Sequence, residues 1–208
     1  AGKTLLYREP PHYITLGKEL PAKALDEILT DHAEVFTELK EYYKQTSESD
    51  TTKISFYEDT YSLYNLYRFA HYYEEAYGKY IWLKSGASLV IEHTEAMTVI
   101  DVNTGSVLKK KKQEDTLFYQ INREAAKEIA RQLRLRNISG IIMIDFINMK
   151  DTAQKEKLLS LLDSECKKDR VHCNVIDMTA LNLVEMTRSK VRKPLHEQIR
   201  FCMKNNRS

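Results

Sequence analysis

Two stretches decide the fold of this chain: EAMTVIDVNTG, Glu95 to Gly105, and GIIMIDFINM, Gly140 to Met149. Each drives an apolar run of strand length into one acid, Asp101 in the first and Asp145 in the second. A lone carboxylate is very costly in a core unless it is paired or bound to a metal. In open α/β sheets, functional groups gather where strands end and loops begin. Two carboxylates on neighbouring strands repel one another unless a cation lies between them. Magnesium suits such a place, since it takes oxygen ligands, keeps several waters and is held by one or two carboxylates plus a substrate phosphate. Asn103 follows Asp101 by two residues, so it faces the same side of a continuing strand. There its amide can orient a water or a phosphate oxygen. Acids at strand ends also form turns or cap the next helix, and the residues by themselves leave both readings open.

Around these stretches the pattern is that of a sheet with helices. KYIWL (79–83), ASLVIEH (87–93) and AMTVIDV (96–102) are strand-like, and the tight connection at Thr94 and Glu95 predicts a hairpin or meander. Residues 115–137 form the strongest helical pattern, with Ile121, Ala125, Ile129, Leu133 and Leu135 on its buried side and Asn137 and Gly140 as its end. IIMIDFI (141–147) is a nearly unbroken apolar run and predicts a strand covered on both faces. Asp151 is the expected N-cap of a second amphipathic helix. Residues 170–178 and 180–188 are strand-like, and 195–205 reads as a closing helix. Before residue 79 the pattern is mostly helical. Two short helices follow Pro21, broken near Thr30 and Asp31, and KISFY (53–57) is a short strand. Asp59 is the expected cap of a helix reaching Tyr77, with Gly78 as its stop. The expected architecture is α/β: a mixed sheet with packed helices over 80–208, preceded by a mainly helical segment over 1–79.

Composition narrows the class. With 42% hydrophobic and 30% charged residues among 208, the chain can form a core and a solvated surface. No apolar run approaches the roughly 20 residues that cross a bilayer, and no signal-peptide pattern opens the chain. Three cysteines without repeated spacing favour a reducing compartment. A soluble, cytoplasmic protein with no membrane partner is therefore expected. Its first residue is Ala1 rather than Met, which reads as a piece of a longer protein. A net charge of +2 does not by itself argue for nucleic acid, but local clusters do. Lys109, Lys110, Lys111 and Lys112 follow the first acid, and Arg131, Arg134 and Arg136 close the helix that leads to the second. Such residues supply sequence-independent phosphate contacts. A lysine run is equally an ordinary solvated loop, and arginines suit a helix C-terminus. Tyr57, Tyr61, Tyr64, Tyr67, Tyr72, Tyr73 and Tyr77 are read as core and interface residues in preference to base-stacking surfaces. His93 and His172 have no adjacent partner and are not assigned a catalytic role.

Three segments carry a further signal: GASLVIEHTEAMTVIDVNTG, EDTLFYQINREAAKEIARQLRLRNISGIIMIDFINM and DRVHCNVIDMTALNLVEMTR. Together, from about Gly86 to Arg188, they resemble the catalytic region of the bacterial ribonuclease E/G family. The resemblance implies a deoxyribonuclease-I-like subdomain over 80–208 and part of a ribonuclease-H-like subdomain before it. It also implies endonucleolytic cleavage of single-stranded RNA in RNA processing and decay, using Mg2+ (Mn2+ as a substitute) held by two aspartates. Those aspartates match Asp101 and Asp145, and a supporting asparagine matches Asn103. Water attack would leave a 5′-phosphate and a 3′-hydroxyl. The chain departs from the family pattern at Ala87, where SGG is usual, and at Asn148, where a second aspartate is usual. The family's OB-type RNA-binding and 5′-sensor domains find no matching residues here, so a fragment is expected. The family's C-P-x-C zinc link is not expected either, because Met203, Lys204 and Asn205 follow Cys202. Any homo-oligomer would then form without it. The alternative to a catalytic core is an RNA-binding or assembly module with little activity in isolation.

Overall fold

The computed structural model describes residues 11, 13–15, 25–45, 53–105 and 114–198. The chain divides into two compact units, residues 1–70 and 71–208.

In the first unit, strand β1 (Glu27–Thr30) and strand β2 (Lys53–Phe56) pair in parallel, joined through helix α1 (Ala33–Gln45). Parallel strands need a crossover connection, and α1 lies within it. Leu39 is buried, and the Phe36 and Phe56 rings meet with centroids 5.4 Å apart. The helix expected over the residues after Pro21 is therefore corrected at Glu27–Thr30, which form a strand. A four-residue segment has little helical stability of its own, and pairing with β2 overrides its local pattern. The single helix expected from Asp59 to Tyr77 is also replaced by two, α2 (Leu63–Leu66) and α3 (Phe69–Tyr77). Ser62, not Asp59, caps α2, its hydroxyl accepting from the Asn65 N–H. Arg68 has φ +53 and breaks the helical path before α3. α3 stops at Gly78 as expected.

The second unit is built on a six-stranded sheet in the order β3-β4-β5-β6-β8-β7. The strands are β3 (Tyr80–Trp82), β4 (Ser88–His93), β5 (Met97–Asn103), β6 (Gly140–Asp145), β7 (Cys173–Met178) and β8 (Leu183–Arg188). β5 and β6 are parallel and every other pairing is antiparallel. Helix α4 (Glu114–Leu135) lies between β5 and β6 in the chain, and α5 (Thr152–Cys166) between β6 and β7. The Asp151 side chain caps α5 by accepting from the Ala153 N–H at 2.9 Å.

The core gathers Leu89 and Ile91 of β4, Ile100 and Val102 of β5, and Ile142 and Ile144 of β6. Against them lie Ile121, Ala125, Ile129 and Leu133 of α4, Leu158 and Leu162 of α5, and Val184 and Met186 of β8. Each fully buried aliphatic side chain contributes roughly 1.5–3 kcal/mol. Leu135, expected on the buried side of α4, is 39% exposed in the last turn. The expectation that β6 is covered on both faces is corrected as well. Ile142 and Ile144 are buried, but Ile141 is 50% exposed and Met143 is half-buried. Helices cover one side of the strand only, and the apolar residues of the other side face outward. Of the tyrosines read as core and interface residues, Tyr61, Tyr64, Tyr67, Tyr72, Tyr73 and Tyr77 are not core, each retaining about half of its surface. They cluster on and around two short helices, and a helix of one to three turns buries only a narrow stripe.

Candidate active site

Alternation along β5 puts Thr98, Ile100 and Val102 toward the helices and leaves Val99, Asp101 and Asn103 on the open face. On β6 the same alternation leaves Met143 and Asp145 on that face. The parallel register sets Asp101 directly opposite Asp145, each near the C-terminal end of its strand. The two acids that close the two apolar runs thus become cross-strand neighbours. On their outer sides, Val90 of β4 lies opposite Asp101 and Leu183 of β8 opposite Asp145. The Asn103 amide donates from Nδ2 to Asp101 Oδ2 at 2.7 Å, which fixes the first carboxylate from its own strand. Burial, and then the negative charge of Asp101, push the Asp145 carboxyl above the usual carboxylate range.

Desolvation and a neighbouring like charge both disfavour the ionised form, and a cation between the carboxylates would favour it. Among the described residues no group of three or more His, Cys, Asp or Glu is placed to hold a metal. The donor set is therefore two carboxylates and the oxygen of one amide. It fits an ion that draws only one or two carboxylates from the protein and completes its shell with water and phosphate, as magnesium does.

Several residues that support the site carry no obvious signal in the sequence. Asn122, fully buried in α4, donates from Nδ2 to the Ile147 carbonyl at 2.7 Å and accepts from the Ile147 N–H at 3.0 Å. This holds the segment that leaves Asp145. The Glu124 carboxylate accepts from the Lys84 N–H at 2.7 Å and the Ser85 N–H at 3.2 Å, which holds the turn before β4. Gly105, two residues past Asn103, has φ +57, and a Cβ there would meet the Gly86 carbonyl oxygen at 2.6 Å. Only glycine fits that approach. The hint for Asn122 is its place beside Ile121 in the apolar stripe of α4, where an unpaired amide would be costly.

Of the basic residues singled out in the sequence, the structure describes only the three arginines. Lys109, Lys110, Lys111 and Lys112 lie outside the described residues, as does Cys202. Arg131 is bound by Glu75 at 2.6 Å and Glu128 at 2.7 Å. Arg134 donates to the Glu165 carbonyl at 3.3 Å, and Arg136 is buried. Asn148 is exposed in the segment after β6.

Comparison with known proteins bears on this site. The model of the ribonuclease E/G family matches residues 1–191. The chain is 37% identical over 193 residues to ribonuclease G of Haemophilus influenzae, covering 93% of this chain and 39% of that protein. It is 38% identical over 171 residues to ribonuclease G of Escherichia coli K12, covering 82% and 35%. With ribonuclease E of a Nostoc species it shares 32% identity over 196 residues, covering 93% and 28%. The chain thus spans about a third of the length of these relatives.

Proposed function

Since the chain belongs to the ribonuclease E/G family, we propose that it carries the hydrolytic centre of a Mg2+-dependent endoribonuclease acting on single-stranded RNA. The observation that supports this reading is the register of Asp101 with Asp145 at the C-terminal ends of two parallel strands. Asp101 and Asp145 would hold the ion, with Mn2+ as a substitute. When bound, the ion supplies a Lewis acid for a phosphoryl oxygen and lowers the pKa of a water. Asn103 keeps the Asp101 carboxylate in one orientation, so its free oxygen keeps a fixed direction. Val90 and Leu183 flank the pair on the neighbouring strands, and Asp145 itself is open to solvent, where an RNA phosphate could reach it. Water attack on the phosphodiester leaves a 5′-phosphate and a 3′-hydroxyl. A deoxyribonuclease-I-like identity for residues 80–208, a ribonuclease-H-like one for 1–79 and a cytoplasmic location belong to the same reading. No helix among the described residues is long and apolar enough to cross a membrane.

The test is cleavage of a short 5′-labelled single-stranded RNA by the purified chain, with Mg2+ and then with a chelator. Chelation is expected to stop cleavage, and Asp101→Ala or Asp145→Ala to abolish it while the fold persists. Products ending in a 2′,3′-cyclic phosphate would overturn the chemistry. Because the chain spans only about a third of its relatives, a second reading is an RNA-binding or assembly module with little turnover. Salt-sensitive RNA binding without cleavage would select it.

A further inference from the structure

A cavity of about 400 Å3 lies on the second unit, at the end of the sheet where β4 finishes and α4 runs out. Arg136, Lys79, His93, Thr94, Glu92 and His196 are among its walls. Arg136 is 4% exposed. Its Nε donates to Gln132 Oε1 at 2.7 Å and its Nη2 to the Glu75 carbonyl at 2.9 Å, both neutral acceptors. The nearby carboxylates are engaged elsewhere: Glu75 and Glu128 with Arg131, and Glu128 also with Gln132 at 2.7 Å. A buried guanidinium with no carboxylate bonded to it is expensive. Lys79 adds a second cation, in an ion pair with Glu92. The His93 and His196 rings stack at 3.8 Å and 15° between planes. His93 Nδ1 lies 3.0 Å from Thr98 Oγ1, so Nε2 is its remaining polar atom.

We propose that this cavity binds a phosphate group, with Arg136 as the buried anchor, Lys79 as the cation at the rim, and the two imidazoles as hydrogen-bonding wall. The chemistry required is a compact anion with several acceptor oxygens, which matches the donor fork of an arginine. At about 400 Å3 the space admits a nucleotide as well as a bare phosphate. His93 lies opposite Thr98, on the helix-covered side of the sheet, and Asp101 is three residues further along β5 on the open side. At about 3.3 Å per residue, roughly 10 Å of strand and the thickness of the sheet separate the cavity from the acid pair. A phosphate held here is therefore not the one that would be cleaved there, and the inference stands whether or not the acids act on RNA.

His93 reports on occupancy. Its burial, with the positive charges of His196 and Arg136, pushes its pKa down to about 4, and an anion beside Arg136 reverses part of that. The experiment is proton NMR of the full chain, with His93 assigned through His93→Gln, titrated with inorganic phosphate at constant ionic strength. A saturable shift of His93 and a rise of its pKa by a unit or more are expected. Asp101→Ala leaves both unchanged. Lys79→Gln, at a partly exposed position that does not threaten the fold, weakens saturation about two- to fivefold. Arg136→Lys is the stronger variant, and Lys79→Gln decides if it fails to fold. Titration with a nucleoside monophosphate and with a short single-stranded RNA then shows whether the phosphate is free or part of a chain, whichever saturates at the lower concentration. No saturable change in His93 at tens of millimolar phosphate, or a change that Lys79→Gln leaves intact, overturns the proposal.

Discussion

The two faces of the six-stranded sheet use the same strands for opposite ends. On the covered face, Leu89, Ile100, Ile142, Ile144 and Met186 are all fully buried under the helices. On the open face the same strands present Asp101, Asn103, Asp145 and Glu185 among half-exposed Val90, Val99 and Met143. One face supplies stability and, in the proposed function, the other would supply chemistry, because a period of two lets one backbone serve both. The open face holds carboxylates together at some expense to the fold, and the covered face has stability to offset it.

The largest effect that tests this division is on the open face. Asp101→Asn is expected to remove cleavage of single-stranded RNA while circular dichroism and thermal midpoint stay close to those of the parent chain. A comparable loss of structure would mean that the two faces are not separate in function. Next comes a paired measurement on one strand. Ile144→Ala, on the covered face, should lower stability by about 2–5 kcal/mol, whereas Ile141→Ala, half-exposed on the other side, should stay within about 0.5 kcal/mol. Denaturant unfolding of both would break the comparison if the two losses were equal. Asn103→Ala should lower activity by about 10–100-fold through loss of its hold on Asp101, read as turnover at saturating Mg2+.

The smallest effect has its sign set by the raised Asp145 pKa. A carboxyl whose folded pKa lies above its unfolded value stabilises the fold below the unfolded pKa, and that contribution is lost as pH rises through the folded pKa. At neutral pH the ionised Asp145 therefore works against folding. Asp145→Asn should raise the thermal midpoint at pH 7 by about 1–2 °C without added Mg2+, and the gain should disappear below about pH 4.

Much of the sheet was legible because its signals are local. The β4–β5 hairpin, the apolar stripe of α4, the Asp151 cap and the two acid-terminated runs all lie within short windows of sequence. The pairing of Asp101 with Asp145 could be anticipated because a parallel crossover brings equivalent strand ends together. What escaped depends on contacts between distant segments. Glu27–Thr30 becomes a strand only because Lys53–Phe56 lies beside it. The open side of β6 was hidden because Ile141 and Met143 are as apolar as Ile142 and Ile144, so a run of this kind does not reveal which face is covered. Arg136 looked like a surface cation beside Arg131 and Arg134, yet its position on α4 turns it inward. The stacking of His93 on His196 joins residues about a hundred positions apart, and no periodicity announces it.

Two of the α4 side chains that reach neighbouring segments, Asn122 and Glu124, have a mechanical consequence. One pins the chain just after the second acid, and the other pins the turn that feeds the strand beside the first. They sit two residues apart on one helix, so the strand register that aligns the two carboxylates is braced from a single part at the segment after β6 and at the turn before β4. A tilt of that helix moves both anchor points together.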